Sequence, residues 1–196
     1  MAQPGAALVC RMEAYRQRFN QRTFYSIHIF RQTEAQACRM GHIFTEHVDV
    51  MENRLAKAKE LGAAGIINGK EQDAVEELMR ATAGKGMDLC IDTAGSQITM
   101  NQCIGAAAKG AAVVFVGYSA QDQVSLDINN ALNKELTFKT VFRYRNLYPL
   151  AIEAVSQGLN VKGVVTDFFK FDDVRKAMDL SVSNKAEIVK AVLILR

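Results

Sequence analysis

The sequence predicts an α/β protein built on a largely parallel sheet with helices on both faces. From residue 43 onward, short apolar runs alternate with segments of helical period, the pattern of strands joined by helical crossovers. The run from Ala111 to Val116 is wholly apolar, as in a strand buried on both faces at a sheet centre. The third sign is Val48-Asp49-Val50, an acidic strand end that leads into a helical segment stopping at Gly62.

In chain order, Phe24 to Phe30 reads as a strand and 31–39 as a short helix. Ile43-Phe44-Thr45-Glu46-His47-Val48 is rich in β-branched and aromatic residues and reads as a strand. Over 51–61, Met51, Leu55, Ala58 and Leu61 recur at three- and four-residue spacing and predict a helix, with Gly62 suited to its C-cap. Gly65-Ile66-Ile67-Asn68 is a short strand. Asp73 to Arg80 predicts a helix with Val75, Leu78 and Met79 inward, ended by Thr82, Gly84 and Gly86. Met87 to Asp92 is a strand, Gly95-Ser96 turns into a helix over 97–108, and Gly117 ends the apolar strand that follows. Residues 126–134 read as a short helix and the alternating run 136–142 as a strand. Leu147 to Gly158 predicts a helix, with Pro149 tolerated in its first turn. The tail predicts a strand at 163–166, a helix at 172–182 capped by Asp172, and a strand at 187–195.

The 196 residues suit one domain, or one domain with an appendage. A net charge of +3 gives no basis for binding nucleic acid or an acidic membrane, and no apolar run reaches transmembrane length. Residues 1–45 hold six arginines, no lysine and two acids, whereas the rest is lysine-rich and nearly neutral; such a shift marks a boundary. Cys10, Cys38, Cys90 and Cys103 have no zinc-type or redox spacing. They read as free thiols in a reducing cytoplasm.

Strand, acid and helix around Asp49 look like the second half of a dinucleotide-binding unit, where the acid holds the adenosine ribose. In such a unit a Gly-x-Gly-x-x-Gly turn comes about 20 residues earlier. No glycine lies between Gly5 and Gly41. The expected fold is therefore a Rossmann-like parallel sheet lacking the normal first strand and its glycine-rich turn. In the strand order 3-2-1-4-5-6 the first strand is central, and Phe24 to Phe30 is the candidate to fill its slot.

Val48-Asp49-Val50-Met51-Glu52-Asn53-Arg54-Leu55, Asp92-Thr93-Ala94-Gly95-Ser96, Val116-Gly117-Tyr118-Ser119 and Thr140-Val141-Phe142-Arg143-Tyr144-Arg145-Asn146 carry a resemblance. From Asp49 to Leu195 the chain resembles the C-terminal half of the medium-chain zinc-dependent dehydrogenases, in particular the sorbitol (polyol) group, of which the Phe-Arg-Tyr run is typical. The resemblance implies that Asp49 and Arg54 hold the adenosine ribose of NAD. A carboxylate there would repel the 2′-phosphate of NADP; taken alone, Asp49 could equally be a helix cap. It also implies that Val116, Gly117 and Tyr118, with Thr93 and Gly95 in a lesser role, lie against the cofactor. Val141, Phe142 and Arg143 would line the nicotinamide, and Arg143 and Tyr144 the polyol. Without the resemblance, Gly117 is an ordinary strand-ending glycine and Arg143 a solvated side chain.

The zinc of that family would come from a domain this sequence does not match. His42, Glu46 and His47 have a His-x-x-x-Glu-His spacing that fits neither His-Glu-x-x-His nor His-x-x-Glu-His. No zinc site and no catalytic residue are therefore expected in this chain. The expected division is an unmatched Arg-rich lead over 1–42, a partial NAD-binding domain over 43–160 and a catalytic-domain tail over 161–196. The lead reads as the product of a frameshifted, mis-started or truncated gene. The expected function is that of a C-terminal fragment of an NAD-dependent polyol dehydrogenase, inactive alone, with NAD affinity weak or lost. Two alternatives stay open. One is a non-catalytic pseudoenzyme or dimerising subunit that pairs through the edge strand 136–142. The other is a related zinc dehydrogenase acting on a sugar phosphate or threonine.

Overall fold

The computed structural model describes residues 7–12, 43–143, 146–184 and 187–195. The predicted elements at 24–30 and 31–39 lie outside them. The main sheet holds β1 (Ala7–Met12), β2 (Ile43–Asp49), β3 (Gly65–Asn68), β4 (Met87–Asp92), β5 (Ala107–Phe115) and β6 (Thr137–Thr140). Its order is β3-β2-β1-β4-β5-β6. The helices are α1 (Glu52–Glu60), α2 (Ala74–Ala81), α3 (Gln97–Ala106), α4 (Ile128–Asn133), α5 (Tyr148–Ser156) and α6 (Val174–Ser183).

The central slot expected for Phe24 to Phe30 is filled instead by β1. β1 pairs with both β2 and β4, and both pairings are antiparallel. The other ladders, β2–β3, β4–β5 and β5–β6, are parallel. The sheet is thus Rossmann-like in order, with the normal parallel first strand replaced by a reversed one. An empty slot would strand a row of backbone donors and acceptors on β2 and β4 inside the sheet, and such groups are almost always paired. Hydrogen bonding demands a strand there and does not dictate its direction.

The core lies where the apolar patterning places it. Leu55 and Ala58 are the buried face of α1, and Leu78 with Ala74 that of α2, whereas Val75 and Met79, expected inward, are half-buried. Each fully buried leucine contributes roughly 1.5–3 kcal/mol. Met51 is half-buried and forms the N-cap of α1 rather than part of its apolar face. Gly62 closes that helix with φ 101°, a left-handed conformation cheap only for glycine. Ser96 caps α3 by accepting from the Thr99 amide at 3.1 Å. At its other end Lys134 donates to the carbonyls of Ile104 and Gly105 at 3.0 and 2.7 Å, a cation where the helix dipole favours one. The helix therefore ends at Ala106, and the chain is extended from Ala107.

The tail departs from expectation in detail. Residues 162–164 form a 3-10 turn, and the strand comes later, as β7 (Asp167–Lys170). Asp172 lies in a second 3-10 turn, 171–173; Asp173 is the N-cap of α6 and makes no side-chain cap bond. β8 (Ala191–Ile194) is shorter than the predicted run. β7 and β8 pair in parallel around α6 as a second, two-stranded sheet, so the strand–helix–strand plan of the tail holds.

Candidate functional site: the carboxyl edge of the sheet

β2, β4 and β5 all end at one edge of the sheet. Asp49, the last residue of β2, is 1% exposed. Its Oδ1 accepts from the amides of Val50 and Met51 at 2.6 and 3.0 Å. Its Oδ2 is buried and has no hydrogen-bond partner; Arg54 Nη1 stands 3.7 Å away. One oxygen thus braces the turn into α1, and the other remains an unused acceptor beside a guanidinium. A buried polar atom without a partner costs about 1–3 kcal/mol, and such atoms call for an explanation. The cap interpretation accounts for Oδ1 alone.

Asp92 ends β4 and is fully buried, but both of its oxygens are satisfied. Oδ1 accepts from Thr99 Oγ1 at 2.7 Å and the Ala94 amide at 3.2 Å, and Oδ2 from the Gly95 amide at 3.0 Å. Burial pushes its carboxyl pKa up, partly countered by these three donors. Its backbone carbonyl accepts from the amides of Val116 and Gly117 at 2.8 and 3.0 Å. Asp92 therefore ties the turn after β4 to the exit of β5. Asp92 opens the Asp-Thr-Ala-Gly-Ser run, and its bracing role emerges only from these contacts. A polar side chain ending an apolar strand was the available signal.

The two turns touch backbone to backbone. A Cβ on Gly117 would lie 2.1 Å from the Gly95 nitrogen, and one on Gly95, at φ 70°, would lie 2.4 Å from the Tyr118 carbonyl oxygen. Both glycines are needed for this approach, so Gly117 is more than an ordinary strand end. The loop beyond is pinned to α3: Gln97 Oε1 accepts from the Ser125 amide at 2.8 Å, and Asn101 bonds Ser125 and Asp127.

The second strip is brought to the same place. The Val141 amide donates to the Phe115 carbonyl at 3.0 Å. The exposed rings of Tyr118 and Phe142 lie 6.4 Å apart, and the Arg143 guanidinium stands 5.1 Å from the Phe142 ring centroid. Arg143 has φ 43°, a strained conformation of the kind that gathers at functional sites. The structure therefore unites Thr93, Gly95, Val116, Gly117, Tyr118, Val141, Phe142 and Arg143. Asp49 ends β2 on the far side of β1, roughly 10 Å from the turn after β4 and farther from those after β5 and β6 by strand spacing. Tyr144 lies outside the described residues, as do His28 and His42. Among the described residues, no three His, Cys, Asp or Glu side chains are grouped to hold a metal.

Comparisons with known proteins place the chain in a family. The family model for zinc-binding dehydrogenases matches residues 34–157. The uncharacterised zinc-type alcohol dehydrogenase-like protein YdjJ of Escherichia coli K12 is 39% identical over 81% of this chain and 46% of its own length. The sorbitol dehydrogenase of Bacillus subtilis is 32% identical over 81% of this chain and 45% of its own. A solved alcohol dehydrogenase of Escherichia coli CFT073, complexed with NADH, superposes with a TM-score of 0.69 at 27% identity, over 76% of this chain and 43% of that one. The chain spans about half the length of the relatives it matches. With 124 residues under the family model, from 34 to 157 inclusive, the chain belongs to the zinc-binding dehydrogenase family.

Proposed function

We propose that this chain carries the coenzyme-side half of an NAD-dependent polyol dehydrogenase, an enzyme that moves a hydride from a secondary alcohol carbon to NAD. The observation that carries this reading is the buried Asp49 Oδ2, left without a hydrogen-bond partner at the carboxyl end of β2. Ligands of open α/β sheets bind beyond that edge, where an acid accepts from the ribose hydroxyls. The NADH complex of a relative and the sorbitol dehydrogenase match support the cofactor and the substrate class.

NAD, when bound, supplies the hydride acceptor. Asp49 Oδ2 would accept from a ribose hydroxyl once the paired Arg54 swings aside. The Gly95–Gly117 contact lets backbone, rather than side chain, face the ligand. Tyr118 and Phe142 offer exposed ring faces, and Arg143 a guanidinium able to donate to several polyol hydroxyls. Arg143 and Tyr144 are the proposed polyol residues. Zinc belongs to the family's chemistry, but the described residues gather no ligand set for it.

We assign residues 161–196 to the catalytic side of such an enzyme. Phe168, Met178, Val182 and Leu195, each at least 65% exposed, suit a surface covered by other protein. Turnover of polyol by this chain alone is therefore not expected. Calorimetric titration of NAD and NADP, with polyol turnover followed on the same sample plus zinc, tests the reading. Weak binding that favours NAD and narrows in Asp49→Ala supports it. Equal binding of NAD and NADP would show Asp49 to be a turn brace only.

A further inference from the structure

α3 lies along β4 in a register fixed at two points. Thr99 Oγ1 donates to Asp92 Oδ1 at 2.7 Å. One turn on from Thr99 is Cys103, and two residues back from Asp92 is Cys90. Four helical residues advance about 6 Å and two strand residues about 7 Å, and in each case the side chain returns to the same face. A helix running back along its own strand therefore sets Cys103 over Cys90, and the two thiols are hydrogen-bonded to each other. Both are fully buried in the core with Met87, Ala106 and Val113, and neither is in a disulfide. The bond to Cys90, and then burial, push the Cys103 thiol up, so Cys103 rests protonated. Nothing in the cofactor reading uses either sulfur.

We propose that Cys90 and Cys103 form an oxidisable dithiol: hydrogen peroxide converts it to a disulfide that staples α3 to β4 beneath the turn held by Asp92. One sulfur attacks the peroxide; an S–O bond forms, the O–O bond breaks and one water leaves. The other sulfur then displaces the hydroxyl of that sulfenic acid as a second water, and the S–S bond forms. The two thiols give up two electrons and two protons, and the peroxide is reduced to two waters. The sulfurs close from contact to about 2 Å, and the oxidant enters when α3 opens locally from the sheet. Burial makes the reaction slow. Contact makes a disulfide, rather than a higher sulfur oxide, its product.

The test treats the whole folded chain with hydrogen peroxide, removes the excess, blocks the remaining thiols with iodoacetamide and digests with trypsin. Lys85 and Lys109 bound a stretch with no Lys or Arg inside it, so both sulfurs fall in the one peptide 86–109. That peptide should escape alkylation and be two hydrogens lighter than its reduced form, whatever oxygen Met87 and Met100 have gained. Dithiothreitol should restore both alkylation sites. The melting temperature should rise by about 5 °C or more, because the cross-link constrains the unfolded chain, and fall back on reduction. Cys103→Ala should show neither change. Alkylation of both cysteines after treatment, a sulfinic acid on either, or linkage of either to Cys10 or Cys38 would overturn the proposal. So would a disulfide that lowers the melting temperature, or a rise that persists in Cys103→Ala.

Discussion

At the scale of single residues, the site rests on two carboxylates that burial treats differently. Asp92 serves three donors with two oxygens. Asp92→Asn would set an amide N–H against at least one of them, so we expect a loss of about 2 kcal/mol of stability in denaturant titration. Gly117→Ala should cost at least as much, because its Cβ would meet backbone rather than a flexible side-chain end. Glu46 supplies the pH dependence. Its carboxyl is pushed above the ordinary 4.5 by burial, with Lys59 pulling the other way. The folded state thus binds this proton more tightly than the unfolded chain, so Glu46's contribution is fully present below pH 4.5 and is lost as pH rises through its folded pKa. Glu46→Gln should therefore gain stability relative to the parent between pH 4.5 and neutrality. Melting temperatures across that range check it, and a constant difference would refute it. The local sequence showed Asp49 and Gly117 as site candidates. That Asp49 keeps a spare oxygen, and that Gly117 meets Gly95, depends on neighbours distant in the chain.

At the scale of elements, strands and helices with strong apolar patterning stand where the sequence puts them: α1, α2, β3, β4 and β6 fall within their predicted runs or one residue beyond. The misses share a cause. α3 stops early because Lys134, 28 residues beyond Ala106, takes its last carbonyls. β7 sits after a 3-10 turn, where its ladder with β8 sets the register. β1 was not foreseen at all: Ala7–Met12 is a short apolar run in an arginine-rich, glycine-poor lead, and the slot it fills exists only once β2 and β4 are placed. Its two ladders predict slow hydrogen exchange. The amides of Ala7–Cys10, paired on both sides, should exchange on the timescale of those in β4, and exchange as fast as an unstructured peptide would show the slot to be unfilled.

At the scale of the whole molecule, the sheet is well packed on its helices, while its rim and tail are not. Among the described residues β6 pairs on one side only, and most of its residues are exposed; Tyr148, Ile152, Phe168 and Met178 add apolar surface on α5, β7 and α6. Unpaired strand edges and apolar patches favour association. We expect concentration-dependent self-association in sedimentation velocity, and a single monomeric species across the micromolar range would refute it. Among the described residues, no helix is long and apolar enough to cross a membrane. The sequence by itself determined the α/β class, the order of the strong elements, the resemblance to the zinc-dependent dehydrogenases and the identity of the acid at the end of β2, because periodicity and short motifs are local properties. Only the tertiary structure decided the direction of the central strand, the spare oxygen of Asp49 and the meeting of the two glycine turns. Each of these depends on which groups are left unpaired when distant segments come together, and no local pattern records that.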